Sequence, residues 1–151
     1  LTYPPLDSLN ICHAMSSILY IEDELDDVFL MERTFRRMAP EVSLRVISDG
    51  QKAVEYFEAA ASQAAIDLSL VLLDLNLPGL SGLSVLAQIR KSPHVAKVPV
   101  IIFSASSQPS DISASYAGGC NAYLVKPGDP DRLKSIVGLL KEFWIVENRR
   151  S

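Results

Sequence analysis

Four polar sites stand at the ends of apolar runs in this chain. Glu22-Asp23 follows Ile18–Ile21, Asp74 follows Leu68–Leu73, Ser104 follows Val98–Phe103, and Lys126 follows Ala122–Val125. Apolar runs of this length read as buried strands. In a parallel sheet their C-terminal ends share one edge, the edge at which α/β folds bind ligands. Three carboxylates gathered there repel one another unless a hard cation lies between them. Mg²⁺ suits that role because it prefers oxygen ligands and keeps several waters. A phosphoryl group on the Asp74 carboxylate would bring the other residues into use. The cation would take one phosphoryl oxygen, the Lys126 ammonium a second, and the Ser104 hydroxyl would hydrogen-bond a third. Phosphoryl transfer depends mainly on placement and charge compensation, and Asp74 is the candidate nucleophile.

Taken singly, each residue has an ordinary reading. A strand-end Asp caps turns and helices, an acidic pair suits a helix start, and Ser104 and Lys126 could be a turn serine and a surface lysine. The combination, in order and on the right strands, is what carries the chemistry.

The elements that position these residues alternate along the chain. A helix is expected from Leu25 to Met38, with Val28, Met31, Phe35 and Met38 at helical spacing and Pro40 closing it. Leu44–Ile47 reads as a second strand, and Gln51 to about Ala61 as a helix burying Val54 and Phe57. A turn at Leu77–Gly82 leads to a helix with Leu86 and Ile89, stopped by Ser92-Pro93. Ser110–Ala117 suits a short helix, and a last helix from Pro130 is expected to bury Leu133, Ile136, Val137, Leu140 and Trp144. Five β-α units of this kind imply a doubly wound α/β sandwich with a parallel sheet.

Composition narrows the classes. A chain of 151 residues, 48% hydrophobic and 21% charged, is one ordinary globular domain. The net charge of −4 and the lack of a basic stripe beyond Arg36-Arg37 argue against nucleic acid. Five acids, Glu22, Asp23, Glu24, Asp26 and Asp27, fall within six residues, most of them explicable as a solvated helix start. Cys12 and Cys120 form no CxxC, so a reduced, cytoplasmic setting is the simple reading. His13 and His94 belong to no metal motif, and no apolar run has transmembrane length. Residues 1–14 lack periodicity and read as a tail, with Met15 as the supposed natural start and 15–151 as the domain.

Ser17–Glu24, Leu72–Pro78 and Tyr123–Pro127 together resemble two-component response-regulator receiver domains, over about Ser16 to Phe143. The resemblance implies a flavodoxin-like five-stranded sheet of order 2-1-3-4-5. It makes Asp74 the phospho-acceptor, Asp23 the direct Mg²⁺ ligand, Glu22 a ligand through water, and the Asn76 backbone carbonyl a further ligand. Ser104 and Tyr123 take the places of the family's switch residues, and Lys126 that of its site lysine, in a Lys126–Pro127 bond that is usually cis. A phosphoryl oxygen would draw Ser104 toward Asp74, letting Tyr123 turn inward and changing the surface of the fourth helix, fifth strand and fifth helix. Asp111–Tyr116, Asp74–Gly79 and the closing Lys141–Trp144 are similar to single-domain regulators partnering bacterial phytochrome histidine kinases, which often dimerise through that same surface.

Three rivals use related parts. Haloacid-dehalogenase-type phosphatases need a second Asp two positions after the nucleophile, where this chain has Asn76. A flavin-binding module needs a phosphate cradle after the first strand, where Glu22-Asp23-Glu24 would repel phosphate. A receiver acting as a phosphorylation-independent scaffold or phosphate sink would carry the same residues. The reading adopted is a non-enzymatic receiver, phosphorylated on Asp74 by a histidine kinase and signalling through protein contacts.

Overall fold

The computed structural model of the chain describes residues 16–61 and 67–149. Five strands, Ser17–Ile21 (β1), Ser43–Ile47 (β2), Leu70–Leu73 (β3), Val100–Ser104 (β4) and Ala122–Val125 (β5), pair in parallel in the order β2-β1-β3-β4-β5. Between and after them run helices Leu25–Met38 (α1), Gly50–Ala61 (α2), Gly82–Lys91 (α3), Pro109–Ala117 (α4) and Pro130–Leu140 (α5). The order is the one the family resemblance implies, and the central strands explain it. All four residues of β3 are fully buried, as a strand covered on both faces must be.

Side chains alternate between two cores, following the two-residue period of a strand. Leu19, Ile21, Val71, Leu73, Val100 and Ile102 face Val54 and Phe57 of α2 and Val85, Leu86 and Ile89 of α3. Ile18, Tyr20, Leu70, Leu72, Ile101 and Phe103 face Met31 and Phe35 of α1 and Leu133, Ile136, Val137 and Leu140 of α5. A one-residue slip in any strand would exchange the two sets, so the register is firmly set.

Some boundaries differ from the sequence reading. β4 begins at Val100 rather than Val98, because Pro99 has no N–H to give the ladder. Met38, at the end of the α1 stripe, is 39% exposed. Trp144 is half-buried at the rim of the α1/α5 core rather than inside it. It lies in a π-helical segment, Lys141–Glu147, whose i→i+5 bonding turns side chains off the stripe that α5 established. His94 is exposed in the α3–β4 loop, on the sheet edge opposite the strand C-termini, and Cys120 is a buried free thiol. The tail reading of residues 1–14, with Cys12 and His13, lies outside the described residues.

Candidate functional site

The backbone ladder continues one residue past the strand ends and so places the polar residues. The Glu22 N–H donates to the Ile47 carbonyl (3.0 Å), the Asp74 N–H to Ile21 (3.1 Å), and the Lys126 N–H to Ser104 (2.8 Å). Glu22 and Asp74 therefore stand side by side on adjacent strands. Glycine allows the loop after Asp74 to fold tightly: a Cβ on Gly82 would fall 2.1 Å from the Asp74 carbonyl oxygen. Ser81 caps α3 by accepting from the Ser84 N–H, which anchors the far end of that loop.

Glu22, Asp23 and Asp74 each offer a carboxylate oxygen, and these oxygens lie within 4.8 Å of one another. Glu22 is fully buried and Asp74 nearly so, while Asp23 is exposed. Such an all-oxygen set, open to water on one side, fits a hard divalent cation. Both Glu22 oxygens are already engaged. Oε1 accepts from the Glu24 N–H (3.0 Å), and Oε2 accepts from the buried Tyr20 hydroxyl (3.3 Å) and from Lys126. The freer oxygens for a cation are those of Asp23 and Asp74.

Lys126 reaches this cluster from the end of β5. Its Nζ lies 2.5 Å from Glu22 Oε2, 2.8 Å from Asp27 Oδ2 and 3.3 Å from Asp74 Oδ2. Burial works against the ammonium, but hydrogen bonds to Asp27 and Glu22 and the charge of Asp74 outweigh it and hold the Lys126 pKa above its ordinary value. Burial likewise pushes Glu22 up, with Lys126 and the Glu24 N–H opposing it. One ammonium serves three bonded carboxylates, Glu22, Asp27 and Asp74. The site is short of positive charge.

Asn76, Ser104 and Tyr123 lie around the same sheet edge. The exposed Asn76 donates its N–H to Asp74 Oδ1 (3.4 Å). Ser104 is fully buried at the end of β4, and its Oγ accepts from the Ser106 N–H (3.2 Å). Tyr123 is half-buried, with its hydroxyl donating to the Ser106 carbonyl (2.9 Å). The Lys126–Pro127 bond, expected to be cis, is trans. Proline narrows the trans preference without removing it, and the Lys126 N–H bond and its ion pairs are all made with the trans bond in place.

The response regulator receiver domain family matches residues 18–138. The chain belongs to that family. This receiver is 32% identical to the probable methanogenesis regulatory protein FilR2 of Methanothrix harundinacea, over 95% of this chain and 94% of FilR2. It is 30% identical to response regulator Rcp1 of Synechocystis sp., over 85% of this chain and 88% of Rcp1. The Mn²⁺-bound form of Rcp1 superposes with a TM-score of 0.79 at 28% identity, covering 90% of the receiver and 99% of that structure. The phosphorylated cyanobacterial phytochrome response regulator RcpA gives a TM-score of 0.82 at 31% identity, covering 90% and 98% respectively. The receiver is thus a response-regulator component of two-component signalling, similar to phytochrome response regulators. No helix among the described residues is long and apolar enough to cross a membrane.

Asp27 and Tyr20 join the site without having been singled out in the sequence. Asp27 lies in the first turn of α1, and its bond to Lys126 spans 99 residues. Tyr20 stands two residues before Glu22, on the same face of β1.

Proposed function

We propose that this receiver accepts a phosphoryl group from a histidine kinase onto Asp74 and passes the signal on through altered protein contacts. The observation that carries this reading is the cluster of Glu22, Asp23 and Asp74 carboxylates with the Lys126 ammonium at the crest of the parallel sheet. An Asp74 carboxylate oxygen attacks the phosphorus of a phosphohistidine. The new P–O bond forms as the P–N bond breaks, and the departing imidazole takes up a proton. Asp23 and Asp74, with the Asn76 carbonyl and with Glu22 through water, would hold Mg²⁺. When bound there, the cation would supply charge neutralisation for the phosphoryl group and the carboxylates. Lys126 lies 3.3 Å from Asp74 Oδ2, within reach of a second phosphoryl oxygen, and Ser104 hydrogen-bonds a third. Apart from turning over its own phosphoryl group the receiver is not an enzyme.

The similarity to the phytochrome response regulator RcpA favours a bacterial phytochrome as the kinase. Output runs through Ser104 and Tyr123 to the face of α4, β5 and α5. Val125, Leu139 and Phe143 are exposed on that face, and we assign it to a second copy of the chain.

The chemistry is tested by incubating the protein with acetyl phosphate, with and without Mg²⁺, beside Asp74→Asn, and reading intact mass. A Mg²⁺-dependent, alkali-labile phosphate adduct in the wild type alone is expected. No adduct in the wild type, or an aspartyl phosphate in Asp74→Asn, would overturn the assignment.

A further inference from the structure

The segment Asp111–Tyr116 carries part of the resemblance to phytochrome-linked regulators, yet nothing in the phosphoryl chemistry above uses Asp111. In the structure the Asp111 carboxylate accepts a hydrogen bond from the Ser106 hydroxyl through Oδ2. Ser106 is the residue on which the two switch positions meet. Its N–H donates to Ser104 Oγ at 3.2 Å, and its carbonyl accepts from the Tyr123 hydroxyl at 2.9 Å. Its own hydroxyl also accepts from the Gln108 N–H at 3.2 Å. All three polar groups of this one serine are therefore engaged, in four hydrogen bonds, and its side chain is fixed from both the donor and the acceptor side.

We propose that Asp111 is a positioning residue for the Ser104 hydroxyl, acting through Ser106. The inference rests on the reading of Asp74 as the phospho-acceptor. By accepting from the Ser106 N–H, Ser104 Oγ commits a lone pair in one direction and keeps its proton for a phosphoryl oxygen. The orientation of that N–H depends on where Ser106 sits, and the bond to Asp111 fixes its side chain. Apolar packing offers little substitute. Of the residues of α4 only Ser115 is buried, and its hydroxyl bonds within the helix to the Asp111 carbonyl at 2.7 Å. The start of α4 is thus joined to the β4–α4 loop chiefly by polar contacts, and Asp111 is the side chain that makes the link. A carboxylate is a strong acceptor, so the link is firm without being permanent.

The test is beryllofluoride affinity with Mg²⁺ present, read from the ¹⁹F resonance of the bound ion, in the wild type, Ser106→Ala, Asp111→Ala and Asp111→Asn. Thermal unfolding confirms that each variant folds, and Ser106→Ala carries the test alone should Asp111→Ala not fold. Ser106→Ala and Asp111→Ala are expected to bind about three- to tenfold more weakly, the worth of one hydrogen bond. Asp111→Asn, which keeps an acceptor oxygen, should stay within about twofold of the wild type. Wild-type affinity in either alanine variant would overturn the proposal and leave the receiver reading standing, as would Asp111→Asn binding as weakly as Asp111→Ala. No bound signal in the wild type would overturn both.

Discussion

One ammonium shared among three carboxylates makes Lys126 the most consequential single side chain in the receiver. Glu22 is completely buried, and Lys126 is the cation that compensates it. Breaking a buried ion pair by removing one partner costs several kcal/mol, because the remaining charge is stranded. Lys126→Ala should therefore lower the stability of the metal-free protein by about 3 kcal/mol in urea unfolding. Added Mg²⁺ should recover part of the loss by binding only the folded state. A loss equal to that of an ordinary surface lysine would show that Glu22 is not charged in the fold. Tyr20→Phe probes the other side of Glu22. It removes one buried hydrogen bond at constant shape and should cost about 1 kcal/mol, with acetyl phosphate labelling of Asp74 retained. Asp74, Glu22, Asp23, Ser104 and Lys126 were legible in the sequence because each ends a run whose strand character is plain. Asp27 was read as helix-start acidity, since its partner lies 99 residues away and no local pattern records that approach.

At the scale of elements, two devices hold the sheet edges. On the active edge, α3 starts so close beneath Asp74 that only glycine fits at position 82. Gly82→Ala must push the Asp74 backbone aside; we expect about 3 kcal/mol of destabilisation and loss of acetyl phosphate labelling together. On the opposite edge the Arg90 guanidinium donates to the carbonyls of Ala96, Val98 and Gly119 and to Asn121 Oδ1, all at 2.8–3.0 Å. Asn121 Oδ1 in turn accepts from the Val100 N–H. Arg90→Ala would remove these four bonds where α3, β4 and β5 meet, leaving Asn121 Oδ1 only its bond from Val100, at a cost of about 2–4 kcal/mol. Because Arg90 is remote from the carboxylates, the phosphate adduct should still form below the lowered melting temperature, which intact mass can verify. The helices and strands were readable within a residue or two because periodicity and the Pro, Gly and Ser stops agree along the chain. The π-helical turn after Leu140 was not. Lys141–Glu147 has an unremarkable helical composition, and its widening shows only in the i→i+5 bonds.

For the molecule as a whole, the α4–β5–α5 face concentrates what the site does not use. Leu139 is 68% exposed and Phe143 57%, next to an unpaired edge of β5. Light scattering after gel filtration should find a dimer of this chain, and Phe143→Glu should return it to monomer; a monomeric wild type would reject the pairing. The chain holds one tryptophan, Trp144, and it lines the groove on this face together with Tyr123 and Phe143. It follows the C-terminal end of α5, at the sheet edge opposite Asp74, so its fluorescence watches the proposed output face and is blind to bond-making as such. Under the proposed function, mass readings follow the phosphoryl chemistry and emission follows the proposed switch. The receiver therefore carries its own second clock, and any lag between the two would time the interval from phosphoryl arrival to signal.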